Sequence, residues 1–122
     1  MYCIDFYETA SGFCDIRELL DSLRSKSTTS KDARIQLYQI TQYIELLQQN
    51  GTNLPSNFIK HLDDEIWELR PGNNRVFFFY FDNGTYVLLH HFRKKSQKTP
   101  KRELAKAKSE RVDYINRKES SK

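Results

Sequence analysis

Six consecutive apolar residues, Val76 to Phe81, sit between two turn clusters, Pro71-Gly72-Asn73-Asn74 and Asp82-Asn83-Gly84. The run Phe77-Phe78-Phe79-Tyr80-Phe81 is too continuous for a strand that shows one face to water. It is expected to be mainly core, with one or two rings left to stack on bases. Turn residues at both ends enforce tight reversals. Ile66–Arg70, Arg75–Phe81 and Tyr86–Lys94 are therefore expected to pair as an antiparallel meander. The run is also far short of the ~20 apolar residues that span a bilayer, so no membrane segment is expected.

The rest of the chain supplies material to cover such a sheet. Tyr2 to Glu8 alternates with the period of a half-buried strand. A helix is expected to open at Ser11-Gly12, with Phe13, Ile16, Leu19, Leu20 and Leu23 on its apolar side, and to end in the polar stretch Ser25 to Thr29. A second helix is expected from Ser30 to Asn50, capped by Thr29 or Ser30, with Asp32 in its first turn. Its stripe is Ala33, Leu37, Ile40, Ile44 and Leu47, and Gly51 stops it. Leu54 to Leu62 reads as a connection with a short helical turn near Phe58. Thr99-Pro100 signals a last helix, Thr99 capping and Pro100 in its first position. Leu104, Ala107, Val112 and Ile115 give that helix a thin apolar stripe, and the tail after Arg117 is expected to fray. The order β-α-α-β-β-β-α predicts an α+β domain: an antiparallel sheet with an N-terminal helical hairpin and a C-terminal helix. With 122 residues the chain suits one domain, 1–122, with 118–122 as its frayed tail.

Cys3 and Cys14 have no metal or redox spacing and are expected to be free, small, core-side residues of a reducing compartment. The opening residues carry early acids and no basic leader, so a cytoplasmic location is expected.

The formal net charge of +4 is unevenly distributed. Residues 1–66 hold 6 Lys/Arg against 10 Asp/Glu (−4), and residues 67–122 hold 14 against 6 (+8). Such a basic half points to phosphate-bearing partners. Its densest part is Phe92-Arg93-Lys94-Lys95-Ser96-Gln97-Lys98-Thr99-Pro100-Lys101-Arg102, where six of eleven residues are basic. Lys101 and Arg102 fall where the helix dipole disfavours cations, unless an anion sits at that helix start. Arg70 and Arg75 flank the turn between two strands, where both could converge on one phosphate. Their planar forks suit a pentacoordinate phosphorus. His90 and His91 are candidate acid/base groups. Alternation sends one toward the helices and the other toward the open face of the sheet. Glu68 shares a face with Arg70 and is either a base or the ion-pair partner that holds the arginines. The residues alone leave open which of His90, His91 or Glu68 moves a proton. Neither a metal motif, a phosphate-cradling glycine loop nor a nucleophile elbow is present.

The stretch Glu68-Leu69-Arg70-Pro71-Gly72-Asn73-Asn74-Arg75-Val76 resembles the E-L-R…R-[VI] hairpin of HigB-type toxins in the RelE/ParE superfamily. Leu88-Leu89-His90-His91-Phe92-Arg93-Lys94-Lys95-Ser96-Gln97-Lys98-Thr99-Pro100 resembles their L-L-H-x-F-x-K-K-x-x-K-T-P signature. The match is specific over about residues 62–115. Glu68 stands where many members have lysine, and His91 where glycine is frequent. The resemblance implies the toxin of a type II toxin–antitoxin system. Such a toxin cuts mRNA in the ribosomal A site by attack of the ribose 2′-hydroxyl on the adjacent phosphate, with no metal or other cofactor. By position, Arg75 matches the transition-state arginine, and Arg70, Lys94 and Lys95 match phosphate-contacting groups. His90 matches the family histidine and is the preferred proton-transfer group. Phe92 is structural or stacks on a base, while Arg93, Lys98, Lys101 and Arg102 grip RNA. The resemblance also implies a HigA-like helix-turn-helix antitoxin, with operator DNA bound only through it. Two alternatives are a nucleic-acid-binding module without catalysis and a protein-interaction domain.

Overall fold

A computed structural model describes residues 1–121. The elements are β1 (Cys3–Phe6), α1 (Asp15–Lys26), α2 (Lys31–Asn50), β2 (Ile59–Asp63), β3 (Ile66–Leu69), β4 (Asn74–Tyr80), β5 (Thr85–Arg93) and α3 (Lys101–Ser120). They form one five-stranded sheet in the order β1-β5-β4-β3-β2, with helices on both faces. The α1–α2 hairpin covers one face through Ile16, Leu20, Ile40 and Leu47, which pack on Leu69, Val76, Phe78 and Leu88. The other face carries Ile66, Phe77, Phe79, Val87 and Leu89, covered by Ala107 and Tyr114 of α3. Two-sided coverage explains the aromatic run. Phe77, Phe78 and Phe79 are all fully buried on alternate faces, each contributing about 1.5–3 kcal/mol of burial free energy. None of these three rings is free to stack on a base. Tyr80, at the end of β4, is the exposed one.

Local signals act where they were expected in α2. Ser30 caps it, its hydroxyl oxygen accepting from the Ala33 amide at 3.1 Å. Gly51 ends it with φ +60° and ψ −143°, a conformation in which a Cβ would also lie 2.8 Å from the Tyr2 ring. The α3 helix is strapped to β1 and the loop after it by two reciprocal bonds. The Tyr114 hydroxyl donates to Asp5 at 2.5 Å and the Tyr7 hydroxyl donates to Asp113 at 2.7 Å. Among the described residues no helix is long and apolar enough to cross a membrane.

The α+β arrangement with an N-terminal helical hairpin and C-terminal helix stands, and several details differ from expectation. The sheet is mixed, because β1 pairs parallel with β5 at the far edge from β2. The segment near Phe58 continues into a strand. Lys60 pairs with Glu68 and His61 with Trp67, and the His61 ring stacks on Trp67 at 4.7 Å. This pairing with a neighbouring strand is a tertiary contact that local periodicity does not encode. The first helix starts at Asp15, and Phe13 stays outside it, half exposed. Cys14 is buried, whereas Cys3 is exposed on the edge strand. The α3 helix runs on to Ser120, past the point where fraying was expected, and Lys122 lies outside the described residues.

Gly51→Ala is expected to destabilise the protein by about 1–3 kcal/mol, because alanine is strained at that φ, ψ and its methyl meets Tyr2 and Tyr86. Urea denaturation of the two proteins measures this, and an unchanged midpoint would contradict it.

Candidate RNA-facing site

The corner where β3 turns into β4 is built around a buried carboxylate. Glu68 is 2% exposed. Its Oε1 lies 3.6 Å from Arg70 Nε and 3.7 Å from Arg75 Nε. The other carboxylate oxygen accepts a hydrogen bond from the Thr99 hydroxyl at 2.9 Å. That bond replaces the expected helix cap: Thr99 reaches across to β3, and the residue preceding α3 is Pro100, with no side-chain cap. Arg75 is held from behind as well. Its Nη1 donates to the carbonyls of Gly72 at 2.8 Å and Asn74 at 2.9 Å. Burial and the neighbouring charge of Arg70 lower its proton affinity, and Glu68 partly offsets both. The Lys94 amide closes the corner by donating to the Asn73 carbonyl at 2.7 Å.

Around this corner the sequence-predicted basic groups gather. Glu68, Arg75, Phe92, Lys94 and Lys98 surround a narrow hollow with only about 10 Å³ of free space. Next to it is a cleft of about 220 Å³ bounded by Phe92, Arg93, Lys95, Lys98, Arg102 and Glu103. Phe92 belongs to both spaces and stacks on Phe77 at 5.5 Å, so it forms part of their apolar floor. Arg70 is half-buried beside Glu68. Lys101 is exposed at the first position of α3 and borders neither space.

The histidines are placed differently from expectation, since neither faces an open sheet surface. His90 is 1% exposed and lies under α3, tilted against the Phe77 ring at 5.0 Å. Its Nδ1 is 2.6 Å from Glu110 Oε1 and its Nε2 is 3.1 Å from Glu103 Oε1. His91 points to the opposite face, where its Nδ1 and its backbone amide both meet the Asp15 carboxylate, at 2.6 and 2.9 Å. Residue types alone did not reveal Glu103, Glu110 and Asp15. The helical spacing of Glu103 and Glu110, two turns apart on one face, was available as a signal.

A larger cavity of about 500 Å³ lies on the α1–α2 face, bounded among others by Asp15, Leu23, Gln36, Asn74, His91 and Arg93. It is separate from the basic corner, and Arg93 borders both. Among the described residues no group of three or more His, Cys, Asp or Glu is arranged to hold a metal ion.

Two measurements test this geometry. Glu68→Ala leaves Arg75 buried without its counter-charge, and is expected to cost about 3–5 kcal/mol in chemical denaturation. A loss below 1 kcal/mol, roughly that of an exposed pair, would contradict it. For Asp15, burial raises the carboxyl, but the hydrogen bonds and charge of His91 outweigh it and hold the carboxyl below its ordinary range. The stability this contributes is present above the ordinary carboxyl pKa of about 3.9 and fades as pH falls through the lower folded value. His91→Gln should reduce that acid-side slope in pH-dependent unfolding, and an identical slope would contradict it.

No curated protein matches the chain. A family profile described as phage-derived protein Gp49-like (DUF891) matches residues 28–112, which take in α2, the β2–β5 sheet and the first half of α3, including every group of the basic corner. The chain therefore belongs to the Gp49-like family of phage-derived proteins, a family associated with RelE/HigB-like toxins of toxin–antitoxin systems.

Proposed function

We propose that this protein is the toxin of a type II toxin–antitoxin system, a ribosome-dependent endoribonuclease that cuts mRNA in the A site and so inhibits translation. The observation that carries the proposal is the convergence of Arg70 and Arg75 on one side of Glu68, with Lys94 and Lys98 at the same hollow. A buried carboxylate that holds two guanidinium groups fixes their direction before substrate arrives. Fixed donors stabilise developing charge better than mobile ones. In this reading Arg75 stabilises the charge that builds on phosphorus, and Arg70 and Lys94 hold the flanking phosphates. Lys95, Lys98, Arg93, Lys101 and Arg102 track the RNA backbone or ribosomal RNA, and Phe92 supports the floor. Attack by the ribose 2′-hydroxyl requires no metal.

Membership of the family implies an antitoxin partner. In this proposal it is a HigA-like helix-turn-helix protein, which also carries the complex to operator DNA.

One observation favours a second reading, RNA binding without cleavage. Both ring nitrogens of His90 are engaged by carboxylates and the ring is buried, so the histidine presents no free nitrogen to the cleft. The two readings separate on Arg75→Ala and Arg75→Lys, with folding of each variant checked by thermal melting. An RNA-cleaving enzyme loses about 10²–10³-fold in cleavage rate on programmed ribosomes, with little change in RNA affinity. A binding module loses affinity and shows no cleavage in the wild type. Intact mRNA 5′ ends after induction of the wild-type chain would overturn the ribonuclease proposal.

A further inference from the structure

Two acidic side chains border the basic hollow and cleft, and they differ in what is left of their oxygens. The Glu68 carboxylate is occupied on both oxygens by Arg70, Arg75 and Thr99. Glu103 faces the cleft among Lys95, Lys98 and Arg102, with its side chain 23% exposed. Among the described residues its one ion-pair partner is His90, on Oε1. Behind His90 lies Glu110, with a side chain only 10% exposed. An imidazole between two carboxylates must donate on both nitrogens, or donate on one and accept from a protonated carboxyl on the other. Either way two protons are shared among three groups, and the chain as a whole keeps one negative charge. Its cleft-facing end is Glu103, whose Oε1 meets His90. A carboxylate in an RNA-facing cleft repels phosphate, so a purely RNA-gripping surface gains nothing from it.

We propose that Glu103 is the proton acceptor of the cleft, and that His90, oriented by Glu110, is its positioning residue. The inference rests on the ribonuclease reading above and names the base that reading lacks. In the step, a ribose 2′-hydroxyl gives its proton to the Glu103 carboxylate while its oxygen forms a bond to phosphorus. The bond from phosphorus to the 5′-oxygen breaks, leaving a 2′,3′-cyclic phosphate. The departing 5′-oxygen takes a proton from solvent water, and Glu103 later returns its own proton to solvent. His90 does not change its proton count: its nitrogens hold the carboxylate in one orientation, beneath the surface and out of reach of RNA. The charged groups facing Glu103 are Lys95 and Lys98 from the β5–α3 loop, Arg93 from β5, Arg102 from α3 and His90 beneath it. Those facing His90 are Glu103 and Glu110 from α3. The β4 side is closed by Phe77, and Asp15 of α1 is bonded to the adjacent His91.

The test is single-turnover cleavage of mRNA on programmed ribosomes across a range of pH, with RNA affinity measured in parallel. Glu103→Gln is expected to lower the rate by about 10²–10⁴-fold, to leave affinity equal or tighter, and to remove the acid limb of the pH–rate profile. Glu110→Gln should keep an acid limb but displace it, which loss of a merely structural bond would not do. Should Glu103→Gln fail to fold, Glu103→Asp withdraws the oxygen by one methylene while keeping the charge. It should then lose rate and retain the limb. Wild-type cleavage by Glu103→Gln or Glu103→Asp overturns this assignment and leaves the ribonuclease reading intact. A wild-type protein that leaves mRNA uncut overturns both.

Discussion

Between Leu88 and His91 the fifth strand advances three residues while its partner advances only from Phe78 to Val76. The extra residue is a bulge that sets Leu89 and His90 together opposite Phe77, both on the α3 face. Everything beyond it on β5 changes sides relative to the strand before it. His90 is therefore buried beneath α3 beside Glu103 and Glu110, His91 turns to Asp15 on α1, Phe92 floors the basic hollow, and Arg93 stands at the border between the two faces. A regular strand would have sent His90 toward the α1–α2 core with Leu88, on the opposite side of the sheet from Glu103 and Glu110. The arrangement of the candidate site thus depends on one irregular step.

That step also marks where the sequence stops being legible. The β4 strand could be read because its run is bounded by turn residues, and α2 because Ser30, a clean apolar stripe and Gly51 all agree. The convergence of Arg70 and Arg75 could be read because a tight turn leaves few places for the residues flanking it. By contrast, β2 is an edge strand whose existence depends on pairing with β3, and the parallel placement of β1 depends on how the whole helical hairpin crosses the sheet. Neither is a local property. Counting by twos through β5 keeps His90 and His91 on opposite faces but assumes one bare face and misses the bulge. Thr99 was legible as a cap by type, yet its hydroxyl finds a stronger claim in the buried Glu68 carboxylate. Donation by the hydroxyl to a buried carboxylate is charge-assisted, and so stronger than a cap in which its oxygen accepts from an exposed helix amide.

The electrostatics of the corner have the same logic. Two guanidinium groups near one buried carboxylate leave an excess positive charge, and Lys94 and Lys98 add to it within one narrow space. These cations repel one another, and among the described residues Glu68 is the acidic side chain that borders the hollow with them. An anion entering from solvent would relieve that repulsion, which is the physical basis of the phosphate-binding role proposed for the corner.

The pairing of β1 with β5, and the hydroxyl bonds from Tyr7 and Tyr114 that lash α3 to β1 and the loop after it, join elements that are far apart in the sequence. Until α3 has been synthesised, one side of the sheet presents Ile66, Phe77, Phe79, Val87 and Leu89 to solvent, and the loop from Lys94 to Thr99 is tied to the corner through the Lys94 amide and the Thr99 hydroxyl without a docked helix beyond it. Contacts of such long sequence separation form late. The cleft bordered by that loop and by α3 is therefore among the last parts of the fold to be completed.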